Sequence, residues 1–328
     1  MLRFSFACGA LLLIVSTCGA ADTSLPTFTD AASAGPDFAV EGEYAGELPG
    51  PDGGKLKLGV QVIALGNGKF RSVGYHGGLP GDGWQKSDGK HSVEGNTENG
   101  VTVLKGENHE GRIKGGVLSI IGASGETICE LKKVERKSPT LGAKPPAGAV
   151  VLFDGTNADQ FEGGKVTPEG WLAVGTRSKA SFGSCQLHIE FRTPFMPTAE
   201  GQARGNSGVF LHECYEFQVL DSFGLDWKNN ECGGLYSIEE PKVNMCFPPL
   251  SWQTYDFDFT APKFDADGKK TANARVTLRH NGVVIYDDFE IPKLTAGGRP
   301  NEGATGPLML QNHGNPVVYR NIWVVEKK

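Results

Sequence analysis

Residues 206–222 read N-S-G-V-F-L-H-E-C-Y-E-F-Q-V-L-D-S and contain two short runs in which apolar and polar residues alternate. Val209 and Leu211 mark the first run and Phe217 and Val219 the second. A period of two is the signature of half-buried strands, because successive side chains point to opposite faces. A three-residue turn of Glu213, Cys214 and Tyr215 pairs His212 with Glu216, Phe210 with Gln218 and Leu211 with Phe217, gathering the apolar side chains on one face. A two-residue turn would set Leu211 against Glu216 and mix both kinds of side chain on both faces, which burial of one face forbids. The expected hairpin therefore carries a carboxylate, an amide and an imidazole on the outer face of an antiparallel sheet. Such a face is often simply solvated, and that remains the plain alternative.

Outward from this hairpin the same alternation recurs. Residues 184–193 place Cys185, Leu187, Ile189 and Phe191 on one side and Gln186, His188, Glu190 and Arg192 on the other. Further strands are expected near 150–153, 234–238, 252–260, 274–280, 283–290, 307–313 and 317–325, with no convincing amphipathic helix between them. Strands without intervening helices imply a sandwich or jelly roll and not an α/β fold. Towards the N-terminus, residues 36–135 hold another series of short strands, beginning at 38–47, with a hairpin signal at Gly66-Asn67-Gly68. They predict a small antiparallel barrel or sandwich of unassigned role. Residues 136–148, with Pro139, Pro145 and Pro146, read as a linker. The second domain spans 149–328, so the whole is all-β with two units.

The 328-residue length accommodates two domains, and the net charge of -6 argues against a general nucleic-acid binder. Arg3 before the apolar run 10–15, then small residues before Asp22, resembles a secretory signal over residues 1–21. A secreted or periplasmic location follows as an expectation, with lipidation at Cys18 the weaker alternative. No later stretch reaches the ~20 apolar residues needed to span a bilayer. Export permits disulfides. Cys232 and Cys246, which bracket a Gly- and Pro-containing loop, are the expected pair, with Cys214 the rival partner for Cys232.

Eight motifs then occur in order: L-F-D-G-T-N from Leu152, Q-L-H-I-E-F-R from Gln186, G-N-S-G-V-F-L from Gly205, Y-E-F-Q-V-L-D-S from Tyr215, W-Q-T-Y-D from Trp252, H-N-G from His280, and L-Q-N-H-G with Y-R-N-I between Leu310 and Ile322. The ordered set resembles the 3-keto-disaccharide hydrolase domain family over about residues 149–326. The resemblance implies a concanavalin A-like jelly roll acting on sugars whose C3 hydroxyl has become a ketone.

That ketone acidifies the C2 proton and leaves the C1 substituent β to a carbonyl, so a base can eliminate the aglycone. Such chemistry needs a base near C2 and a donor or metal at the C3 oxygen. Glu216 is the expected base, with His212 or Arg192 stabilising the enolate and Glu190 as a second carboxylate. Asn206, Gln218 and Gln311 are expected to orient hydroxyls, with His313 sharing the parity of Gln311. Asp221 and the aromatic rings of Tyr236 and Trp252 complete the candidate substrate contacts. A divalent metal held by Glu216 and His212 stays open. Two other readings compete: a conventional glycoside hydrolase of laminarinase-like fold, in which Gln218 stands where the middle acid belongs, and a non-catalytic sugar-binding module.

Overall fold

The computed structural model describes residues 25–50 and 53–327. The leader read at residues 1–21 lies outside them. The fold is all-β, in two units.

The first unit is a closed antiparallel barrel of eight strands. Around the barrel run Gly42–Pro49, Thr127–Val134, Val117–Gly122, His109–Lys114, Val101–Lys105, Lys90–Glu98, Lys69–His76 and Lys55–Gly66, the last pairing back to the first. The strand expected at 38–47 begins instead at Gly42, because residues Gly35–Val40 form a short helix with proline in its first turn. Proline is pre-shaped for that position and lacks only an N–H the helix would leave unpaired. The strand Lys90–Glu98 escaped the sequence reading because most of its side chains are polar and exposed.

The second unit is a two-layer sandwich. Its seven-stranded sheet runs Val150–Phe153, Val318–Glu326, Cys185–Arg192, Gln253–Thr260, Ala274–His280 and Val283–Ile291, with Leu172–Ala173 also pairing onto Val318–Glu326. The facing five-stranded sheet runs Phe161–Glu162, Thr176–Phe182, Gly306–Leu310, Ser207–Leu211 and Tyr215–Val219. One apolar core fills the gap, where Phe217 meets Phe257 edge-on and Phe191 packs on Tyr255. Each fully buried phenyl contributes about 1.5–3 kcal/mol relative to exposure.

The five described cysteines are all free, which corrects the expected disulfide. Cys232 and Cys246 are neighbours in this core, held as thiols: the Cys232 sulfur meets the Tyr255 hydroxyl at 3.3 Å and the Cys246 sulfur reaches the Leu220 carbonyl at 3.5 Å.

The linker is stitched to the outer face of the seven-stranded sheet. Thr140 donates to Asp256, the Gly142 N–H to Glu190, and Asn321 donates to the Ala143 carbonyl. Barrel and sandwich also share a small apolar seam, where Ile63, Val73, Tyr75 and Trp84 meet Phe223. Beside it Arg204 bonds Asp221 at 2.7 Å and approaches Glu41 of the barrel side at 3.7 Å. From the sandwich, Phe195 enters the barrel core between Phe28 and Phe38.

Among the described residues no helix is long and apolar enough to cross a membrane.

Candidate functional site

The 206–222 hairpin forms, with its apolar face as expected and its turn one residue earlier. Leu211 pairs with Tyr215, Phe210 with Glu216 and Gly208 with Gln218, so the loop is His212, Glu213 and Cys214. His212 and Glu213 adopt φ of 53° and 56°, the left-handed region, which turns the chain sharply enough to take His212 out of the strand. The shift moves pairing by two positions, and two preserves parity. Val209, Leu211, Tyr215, Phe217 and Val219 therefore still face the core, while Gly208, Phe210, Glu216 and Gln218 face away from it.

Two rows of side chains cross that outward face. One reads Arg177, Met309, Phe210 and Glu216, and the next places Gln311 and Gln218 on either side of Gly208. Segment 233–236 continues the sheet past its edge, since Tyr236 donates its N–H to the Glu216 carbonyl and Gln218 donates to that of Gly234. Because Leu235 bridges Phe217 on the core side, half-buried Tyr236 stands on the Glu216 face. Gly208 has a specific reason to be glycine: an added Cβ would lie 2.5 Å from Glu216 Oε1. Glycine within a strand often marks such a close approach, a signal the sequence reading left unused.

Loops close over this face. Thr295 accepts the Glu216 N–H through its hydroxyl, and Gly297 lies above Phe210 and Gln311. Glu216 is consequently only 2% exposed, and burial pushes its carboxyl up to about 8. The dominant influence on that carboxylate is loss of water. Around it stand amides with missing partners. Gln218 donates to Gln202, and Asn206 donates to the Gln202 carbonyl, yet Gln218 Oε1, Asn206 Oδ1 and Gln311 Oε1 are buried without a donor. Buried acceptors rarely stay unpaired, so three near one another call for a hydroxyl-bearing ligand or water. A depression of about 470 Å³ opens on the same face, lined by Gln311, Asn312, Arg177 and Gly297. Gln202, Arg177, Thr295 and Gly297 were not anticipated, since loops join them to the face across long stretches of chain.

Other expected members lie elsewhere. His212 is buried against Phe259, its two ring nitrogens near the Gly303 and Gly183 carbonyls, and burial lowers its pKa. It therefore does not stand beside Glu216, as enolate stabiliser or as fellow metal ligand. Among the described residues no cluster of three or more His, Cys, Asp or Glu is arranged to hold a metal. Glu190 and Arg192 are on the outward face of the other sheet, with the aromatic core between them and Glu216.

Glu190 is fully buried beneath the linker. Burial alone would raise its pKa, but hydrogen bonds with His188, Asn321, Arg320 and the Gly142 N–H overcome that and hold it at about 2. Burial likewise opposes a charge on His188, which Asp256 and Glu190 outweigh, raising its pKa. Arg192 lies over the Trp171 ring at 4.1 Å, and Arg320 lies over Trp252 at 4.0 Å. Arg192 and Trp252 thus line a cleft of about 830 Å³ between barrel and sandwich, not the Glu216 face. Asp221 is the buried partner of Arg204. His313 sits half-buried in the loop after Leu310, outside the lining of the Gln311 depression.

No curated protein matches the chain. The crystal structure of a candidate glycosyl hydrolase from Parabacteroides distasonis ATCC 8503 is 35% identical, with a TM-score of 0.51 over 56% of this chain and 85% of that one. A second candidate glycosyl hydrolase from the same organism is 17% identical, with a TM-score of 0.42 over 55% and 95%. Residues 148–325, the whole sandwich, match the family of 3-keto-alpha-glucoside-1,2-lyase-like domains. The chain is a carbohydrate-active protein and belongs to that family.

Proposed function

We propose that the sandwich cleaves the glycosidic bond of glycosides bearing a C3 ketone, with Glu216 as the proton-transfer group. The observation that carries this reading is a buried carboxyl whose pKa is raised by loss of water, surrounded by buried amide oxygens that lack donors. Sugar hydroxyls are such donors. In its ionised form Glu216 takes the C2 proton, and the C–H electrons pass into an enolate on the C3 oxygen. The C1–O bond then breaks with its electron pair on the aglycone oxygen, which receives the proton back from the neutral Glu216 acid. The resulting enone adds water at C1. A group that titrates near 8 populates both forms close to neutral pH, as a shuttle of this kind requires. Gln218, Asn206 and Gln311 orient the hydroxyls, and Tyr236 flanks the ring. Contact with substrate requires the segment around Gly297 to yield, given how little of Glu216 is exposed.

A conventional glycosidase needs two carboxyl groups about 5–10 Å apart across the scissile bond. Gln218 and the Arg204-bound Asp221 leave Glu216 without such a partner on its own strand.

Matched nitrophenyl glucosides with and without the C3 ketone test the reading. Release from the ketone alone, lost about 100-fold or more in Glu216→Gln, is expected, the usual range for removing a general base. Comparable turnover of the unoxidised glucoside would overturn it. Export after removal of residues 1–21 is part of the same proposal, and the N-terminal mass of the protein recovered outside the cytoplasm checks it.

A further inference from the structure

The barrel is packed at one end and hollow at the other. Tyr44, Val62, Ala64, Phe70 and Leu131 fill the end into which Phe195 projects. Beyond them lies a cavity of about 420 Å³. Its wall is made by inward-facing Leu58, Val60, Leu104, Leu118 and Ile120, and its mouth by exposed His76, His91, His109 and Asn108. Eight-stranded barrels have an interior that side chains just fill or that holds one small ligand. Here glycine decides between the two. Gly74 occupies an inward position on strand Lys69–His76, where a side chain would project into the space, and Gly111 on His109–Lys114 also lines it, with the Leu118 side chain 3.1 Å from where its Cβ would stand. A Cβ added at Gly74 would meet nothing closer than the His91 carbonyl at 3.8 Å, and its backbone is not in the left-handed region, so neither crowding nor strain requires glycine there. Ile128 at the rim remains 40% exposed, an apolar side chain facing open space.

We propose that this cavity is a binding site for a small amphiphile, with its apolar body against the Leu and Ile wall and its polar end among the three histidines and Asn108. The volume falls in the range of small-molecule sites, whose linings are apolar with a few polar groups that fix orientation. The first described residues enter at the opposite, packed end, where Phe28 pairs with Phe195, so the mouth is not stoppered by that segment. The site is independent of the Glu216 face and does not rest on its reading.

The test is titration of the full chain with N-phenyl-1-naphthylamine, followed by displacement with decanoate. Saturable one-to-one fluorescence enhancement that decanoate reverses is expected. Gly74→Phe, which fills the hollow, weakens binding at least tenfold, while Glu216→Gln leaves it unchanged. Amide chemical shifts of the unaltered protein provide a readout that needs no variant, with changes centred on Gly74, Gly111 and Ile120. Absence of saturable binding, shifts centred elsewhere, or full affinity in a folded Gly74→Phe protein would overturn the proposal.

Discussion

The Glu216 carboxylate occupies the space above Gly208 that any other residue's Cβ would claim, at 2.5 Å from Oε1. Gly208→Ala therefore forces either the carboxylate or Phe210, whose ring edge is 3.1 Å away, out of place. Overpacking of a buried site costs about 1–3 kcal/mol. Urea unfolding is expected to register that loss, and turnover of a 3-keto-glucoside to fall with it.

The raised pKa of Glu216 fixes the direction of two pH profiles. As base, Glu216 is active when ionised, so kcat/KM on the keto substrate should climb as pH rises through about 8 and then level off. Stability should run the other way. A carboxyl raised in the fold from 4.5 to about 8 binds its proton more tightly folded than unfolded, so its contribution is complete below pH 4.5 and is lost up to about pH 8. Glu41, raised by burial against the pull of Arg204, adds a slope of the same sign. Melting temperatures of Glu216→Gln and Glu41→Gln across this window should decline less steeply than those of the unaltered chain.

Arg204 holds Asp221 within a buried seam between the two units. Removing one partner of a buried ion pair strands the other charge, at a cost of about 3–5 kcal/mol. Arg204→Met is expected to lower stability by that order in denaturant titration. The folded fraction should keep the KM for substrate, because Asp221 is bound to Arg204 and not to the Gln311 hollow.

Glu190 gathers the linker, His188, Asn321 and Arg320 at one carboxylate. Its replacement by glutamine removes charge-assisted bonds worth about 1.5–3 kcal/mol. Exposed Lys137, followed by Ser138, lies at the start of the segment these bonds restrain. Limited trypsin digestion should cut after Lys137 faster in Glu190→Gln, and equal rates would show that other contacts secure the linker.

Strand alternation made the all-β architecture and the apolar face of the 206–222 hairpin legible, because parity survives a two-position shift in pairing. It could not locate the turn itself, which left-handed conformations at His212 and Glu213 decide. Parity also failed to say which sheet a strand joins. Glu190, Arg192 and Glu216 all alternate against apolar neighbours, yet they face outward from opposite layers. The leftover amide acceptors at Asn206, Gln218 and Gln311 depend on loops around Gln202 and Gly297 that no local pattern places.

Phe195 has a consequence for the architecture as a whole. Its phenyl ring is supplied by the C-terminal unit and completes the interior of the N-terminal one, with backbone bonds to Phe28 on both sides at 2.9 Å. Severing the chain within 136–148 would uncork one half and leave a greasy stub on the other. The halves are thus poor candidates for separate expression or for shuffling into unrelated hosts.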